Sequence, residues 1–168
     1  MIKRHLFKRN SAPNSVWRNP IHFFAFGFGS GAAPFAPGTF GTLVAIPLYL
    51  LMAPLTLWIY LVIVLIMIMV GIWLCDVTSR DLGVHDHSGI VWDEIVGYLI
   101  TMAAAPQGVE WIVVGFLLFR FFDILKPWPI RRIDQQVSGG WGIMLDDILA
   151  GIFSWLVLQA AFLISLKL

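Results

Sequence analysis

From Asn19 to Cys75 the chain carries no Asp, Glu, Lys or Arg, and glycine, proline and a few uncharged polar residues punctuate its apolar run. Residues 40–53 and 55–75 are apolar on both sides of Pro54. As a helix, the second stretch covers roughly 31 Å, about the hydrocarbon thickness of a bilayer. The first is shorter, and Pro47 marks a point for a kink. The pattern predicts a helical hairpin turning near Pro54, which returns residue 76 to the side of residue 39. The same arithmetic predicts a helix over 92–105, a turn at Pro106-Gln107-Gly108 and a helix over 109–125. Asp93, Glu94 and Asp123 then fall at one end. Both helices are short for a bilayer, so tilting, partial submersion or shelter by neighbours is expected. A final long helix is predicted over 143–166, with Asp146 and Asp147 near its start.

The connecting stretches have their own signatures. Residues 21–28 read as a short amphipathic or buried segment and 29–38 as a tight Gly/Pro loop, with Thr39 a candidate cap for the next helix. Residues 126–142 read as a polar loop punctuated by Gly and Pro. Residues 1–20 are basic, then rich in Asn, Ser and Pro, and read as a flexible cytoplasmic tail lying near anionic lipid. Residues 21–168 form a single membrane-embedded domain.

Composition turns this pattern into a fold class. Of the 168 residues 59% are hydrophobic and 12% charged, where soluble proteins carry about a quarter charged. Too few polar residues remain to cover a water-facing surface, and lipid is the simplest partner for the excess. Eight Trp and thirteen Phe fit a chain at a membrane interface. The expected fold is all-α: a polytopic membrane helical bundle with short or broken helices. A net charge of +1 gives no electrostatic support to a nucleic-acid role. The single cysteine, Cys75, excludes an intrachain disulfide and a Cys-rich metal site.

Basic residues orient the bundle. Lys3, Arg4, Lys8, Arg9 and Arg18 lead the chain, and Arg80, Lys126, Arg131 and Arg132 fall on the same predicted side. The turns near Pro54 and Pro106–Gly108 carry none. The positive-inside rule puts the charged face in the cytoplasm, and the candidate chemistry lies on that face.

Five of the ten acidic residues lie within 76–98: Asp76, Asp81, Asp86, Asp93 and Glu94. One acidic pair at a helix start is explained equally well by the helix dipole. The repetition of Asp93-Glu94 by Asp146-Asp147, with Asp123 close to Arg120, weakens that explanation. Converging carboxylates repel unless a cation neutralises them, and an all-oxygen donor set favours a hard ion, Mg²⁺ first. Asp93, Glu94, Asp123, Asp146 and Asp147 are the candidate ligands. Lys126 lies three residues after Asp123, and Arg131 and Arg132 follow. These three are candidate phosphate contacts, with topology alone a competing explanation for the arginines.

His85-Asp86-His87 is a weaker signal, read as a loop beside the site rather than a zinc site. Asp86 is a candidate catalytic carboxylate with Asp93, Asp123 and Asp147, and His87 a candidate proton donor to a leaving alkoxide. The glycines between 29 and 41 either present N–H groups to an anion or permit close helix packing. G-x-x-x-x-G-K-[ST], G-x-S-x-G and H-E-x-x-H are absent. Attack by activated water and a covalent aspartyl-phosphate both remain open.

Four blocks carry a resemblance: GFGSGAAPFAPGTFGT (27–42), GVHDHSGIVWDEIVGY (83–98), FRFFDILKPWPIRRID (119–134) and GGWGIMLDDILAG (139–151). In this order the chain resembles the phosphatidylglycerophosphatase A family of bacterial inner-membrane phosphatases. The resemblance implies Mg²⁺-dependent removal of the terminal phosphate of phosphatidylglycerophosphate, a phospholipid substrate held in the bilayer. It implies Asp86, Asp93, Glu94, Asp123, Asp146 and Asp147 as an acidic core, with Lys126 and Arg131 or Arg132 on the phosphate. Two other classes share some features. A phosphotransferase on another phospholipid headgroup would use the same metal and face. A small-solute or ion transporter would place its carboxylates near the membrane midplane rather than at helix ends.

Overall fold

Pro54 divides the first apolar stretch as expected, with one helix ending at Met52 and the next starting at Leu57. The structure, a computed structural model, describes residues 12–84 and 87–167. No strand occurs among them. Their helices are α1 (Pro20–Ala25), α2 (Pro37–Met52), α3 (Leu57–Leu82), α4 (Trp92–Thr101), α5 (Val109–Leu125), α6 (Ile130–Gln136) and α7 (Gly139–Ser165). Short 3-10 turns at Asn14–Trp17 and Ser30–Ala32 precede α1 and α2. In the first of these turns Val16 is fully buried.

Several boundaries differ from the sequence expectation. Thr39 does not cap α2: Ala36 holds the cap position and Pro37 opens the helix, where its missing N–H costs nothing. Helix α3 runs through Leu82, beyond the expected end at Cys75. An Asp76–Arg80 ion pair of 2.8 Å supports its added turns, and Gly83 ends it with φ 64°. Helix α4 stops at Thr101 rather than 105, because Trp155 Nε1 and Gln159 Nε2 of α7 donate to the Ala103 carbonyl at 2.8 and 3.2 Å. The expected polar loop at 126–142 contains α6. Helix α7 begins at Gly139, so Asp146 and Asp147 lie about two turns inside it rather than at its start. A dipole at the N-terminus therefore does not explain that pair.

Helix α4 is the axis of the bundle. Trp92, Asp93, Ile95, Val96, Gly97, Tyr98, Leu99 and Thr101 are all buried on it. It packs most heavily on α7 and is also flanked by α2, α3 and α5. Two glycines set the α4–α7 spacing: a Cβ on Gly151 would fall 2.5 Å from the Gly97 carbonyl oxygen. Thr101 Oγ1 sits at the same contact, donating to the Gly97 carbonyl within α4 at 3.0 Å and reaching the Gly151 carbonyl of α7 at 3.4 Å.

The outside of the bundle is apolar. Trp58, Val62, Leu65, Ile66, Met69 and Trp73 are exposed along α3. Helices α3 and α7 are each long and apolar enough to cross a membrane.

Candidate metal and phosphate site

Four elements meet at one end of α4. The first turn of α4 brings Asp93 and Glu94, the end of α5 brings Arg120, Asp123 and Lys126, and α7 brings Asp146 and Asp147. The start of α2 closes the side with Ala36, Pro37 and Gly38. Together they line a cleft of about 360 Å³.

The backbone explains why these side chains can meet. Gly38 leaves room on α2: a Cβ there would collide with Glu94 Oε1 and lie 3.0 Å from Arg120 Nη1. Gly97 admits α7 against α4, since a Cβ at that position would lie 2.8 Å from the Asp147 carbonyl oxygen. Pro127 disfavours right-handed helix at Lys126, which takes φ 42° and ψ 62°. Such a left-handed residue costs of order 1–3 kcal/mol and is common at functional sites. Lys126 Nζ reaches α7 and donates to Asp146 Oδ2 at 2.6 Å.

Asp93, Glu94 and Asp147 offer oxygens that all lie within 4.8 Å of one another. Asp147 is 3% exposed and Asp93 9%. Glu94 Oε2 is buried and makes no hydrogen bond among the described residues. Arg120 Nη1 lies 2.6 Å from Asp123 Oδ2 as an ion pair. Neither Arg120 Nη1 nor its buried Nε makes an aligned hydrogen bond, so the guanidinium is paired in charge but not fully satisfied as a donor.

The cleft thus sets five carboxylates against two cations. Two like charges 4 Å apart cost about 4 kcal/mol at an effective dielectric of about 20. Such a buried cluster is relieved by protonation of its carboxyl groups or by a bound cation. The three grouped carboxylates and the bare Glu94 oxygen fit a hard divalent ion. The incompletely satisfied Arg120 and nearby Lys126 fit an anion beside it. Together the groups can hold a phosphate ester against a metal.

The other sequence candidates lie elsewhere. Asp86 and His85 are outside the described residues. His87 is half-buried against Phe26, with ring centroids 5.3 Å apart, and its Nδ1 accepts from the Gly89 N–H at 3.0 Å. From that segment Ser88 and Ile90 line the cleft instead. Arg131 and Arg132 lie exposed on α6, outside the cleft walls. Arg120 was not among the candidate phosphate contacts; its spacing of three residues before Asp123 was the available signal. The glycine-rich loop serves close packing at three points: Gly31 against the Gly89 carbonyl, Gly38 against Glu94 and Gly41 against Val91.

Residues 23–162 match the family model described as Phosphatidylglycerophosphatase A. A relative from Escherichia coli (strain K12), named Phosphatidylglycerophosphatase A, is 50% identical over 137 residues, covering 81% of this chain and 80% of its own length. One of the same name from Haemophilus influenzae is 49% identical over 144 residues, covering 84% and 88%. A Bacteroides thetaiotaomicron relative is 41% identical over 144 residues, covering 80% and 89%, and is provisionally named a phosphatidylinositol-3-phosphatase. No solved structure matches the chain.

Proposed function

Because the chain belongs to the phosphatidylglycerophosphatase A family and is a phosphoric monoester hydrolase, we propose that its substrate is phosphatidylglycerophosphate. It removes the terminal phosphate to give phosphatidylglycerol. The observation that carries this reading is the cleft itself, where buried Glu94 Oε2 and the Arg120 donors lack hydrogen-bond partners beside four further carboxylates. The bundle sits in the bacterial inner membrane as a multi-pass protein, with its exposed apolar faces in lipid. The cleft faces the cytoplasm beside the basic residues.

Asp93, Glu94 and Asp147 would hold Mg²⁺, with Asp123 and Asp146 lining the same cleft. When bound, the ion acts as a Lewis acid on the phosphoryl oxygens. Arg120 and Lys126 bind the terminal phosphate and offset charge on its oxygens as the ester bond breaks. Asp123 orients Arg120, and Asp146 orients Lys126. Water attacks phosphorus in line while Asp123, a cleft carboxylate outside the group of Asp93, Glu94 and Asp147, accepts its proton. The leaving glycerol oxygen takes a proton from solvent or from a group of the 85–88 segment, where Asp86 and His87 reside. Arg131 and Arg132 sit at the cytoplasmic surface and draw the anionic headgroup toward the cleft.

The test is phosphate release by purified protein in detergent, with Mg²⁺ or with chelator. Mg²⁺-dependent release from phosphatidylglycerophosphate is expected, reduced about 100-fold or more in Glu94→Gln and Asp147→Asn. The name of the Bacteroides relative makes phosphatidylinositol 3-phosphate the alternative substrate to run alongside. Faster release from that lipid would move the headgroup assignment and leave the site chemistry standing. Absence of release from every lipid phosphate by folded, Mg²⁺-loaded protein would sink the phosphatase reading.

A further inference from the structure

Two acids of the 76–98 stretch, Asp76 and Asp81, lie at the end of α3 and do not line the cleft. Each reaches to a different element instead. Asp76 Oδ2 pairs with Arg80 Nη2 at 2.8 Å along α3, while its Oδ1 accepts from the Gly140 N–H of α7 at 3.3 Å. That N–H is in the first turn of α7, where no carbonyl of the helix is available to it. Ser138 holds the cap position and offers no side-chain bond, so the cap comes from α3. Gly140 permits the approach: a Cβ there would collide with the Ile72 carbonyl oxygen and lie 2.7 Å from Asp76 Cβ. The carboxylate also faces the positive end of α7.

Asp81 holds a second element. Its Oδ2 lies 3.0 Å from Nε2 of His22, which is buried on α1, and Ser15 Oγ lies 2.9 Å from His22 Nδ1. With its proton on Nε2 the ring donates to Asp81 and accepts from the Ser15 hydroxyl, so both nitrogens are satisfied. Helix α1 is thereby tied to α3, and its far end meets the segment entering α4. The Ala25 carbonyl accepts from the Val91 N–H at 2.9 Å, and a Cβ on Gly27 would lie 2.7 Å from Val91 Cγ2. Fully buried Phe26 packs so closely on Gly89 that a Cβ there would collide with its ring. Val91 holds the cap position of α4, and Asp93 and Glu94 stand in the turn that follows.

We propose that Asp76 and Asp81 are positioning residues for the metal site, an inference that rests on the metal reading of the cleft above. Asp76 fixes the height and rotation of α7, and so the place of Asp147. Asp81, through His22, fixes the entry to α4, and so the place of Asp93 and Glu94. An ion pair on a helix surface accounts for Asp76 and Arg80 alone and is worth little. It leaves the bond to α7 and the buried His22 unexplained. Groups that are not ligands set metal affinity by orienting those that are.

Mn²⁺ binding to the purified protein in detergent, read from loss of the free-ion EPR signal, tests this without turnover. It is measured below the unfolding temperature of every variant. Asp76→Ala and Asp81→Ala should each weaken binding about 10-fold. Asp76→Asn and Asp81→Asn should stay within about 3-fold of wild type, because an amide oxygen still accepts from the Gly140 N–H or from His22. Arg80→Ala should also stay within about 3-fold, since it removes the surface pair alone. Unchanged affinity in either alanine variant, with a lower melting temperature in chelator, would make that acid merely structural and overturn its role. Asparagine variants as weak as alanine would overturn the proposal too, by showing that charge rather than position acts. Amide exchange in wild type gives a readout independent of variant folding. Coupling is reciprocal, so Mn²⁺ should slow exchange in peptides spanning 20–25 and 76–82. Slowing confined to α4, α5 and α7, with none in those peptides, would overturn the proposal. Failure of wild type to bind Mn²⁺ would instead strike the metal reading, and this inference with it.

Discussion

Arg120 is surrounded by groups that fix it without satisfying it. Asp123 supplies opposite charge at 2.6 Å, Gly38 leaves space beside it, and two of its buried nitrogens lack aligned acceptors. A phosphate oxygen is the complement to that state. Steady-state kinetics of Arg120→Ala should therefore show kcat/KM lower by about 100-fold. Arg131→Ala, on the exposed side of α6, should lose no more than about 3-fold, because surface charges act mainly through screened attraction. Gly38→Ala is a subtler change. Its new methyl group meets only the ends of flexible side chains, so the fold should persist while Glu94 and Arg120 are displaced. Activity about 10-fold down with a melting temperature within a few degrees of wild type is expected. At this scale the sequence was informative about the acids, because charges stand out in an apolar chain. It was less informative about Arg120, whose single position in a long apolar helix looks like an isolated charge until its partner is placed in space.

Helix boundaries were legible where proline divides the apolar run, as at Pro54. They were misread where helix formation depends on tertiary contact. Ser138-Gly139-Gly140 looks like a loop, yet Gly140 lies in the first turn of α7, where only a residue without Cβ can approach the Ile72 carbonyl of α3. The same physics governs the α4–α7 seam. Gly151→Leu would press a side chain onto the Gly97 backbone, and backbone cannot swing aside as a side-chain end can. Overpacking typically costs 1–3 kcal/mol. Thermal unfolding in detergent should show a clear drop in melting temperature, and Mg²⁺-dependent activity should fall with it, since this seam sets Asp147 beside Asp93. Gly151→Ala should fall between wild type and Gly151→Leu.

Taken whole, the molecule concentrates its cost in one place: an apolar bundle holds a knot of carboxylates with too few cations. Mg²⁺ should therefore stabilise the wild type by binding the folded state, raising its melting temperature by a few degrees at saturating concentration. Asp147→Asn should reduce this shift and raise the melting temperature in chelator, because it removes one repelling charge. A shift equal to that of wild type would remove Asp147 from the metal's ligands. The all-helical architecture and the end of the bundle holding the acids could be anticipated from hydropathy and turn positions. The burial of α4 could not, because ten residues with two acids resemble a surface helix until α7 is laid against them. That arrangement also bears on biosynthesis. Helix α4 receives Asp146 and Asp147, and the Trp155 and Gln159 donors beyond its end, from α7, which is made well after it. A nascent chain halted before residue 139 would carry only part of the acidic knot and lack the partner that shelters it. A chain truncated before residue 139 should therefore release no phosphate in the detergent assay, since Asp146 and Asp147 of α7 complete the cleft.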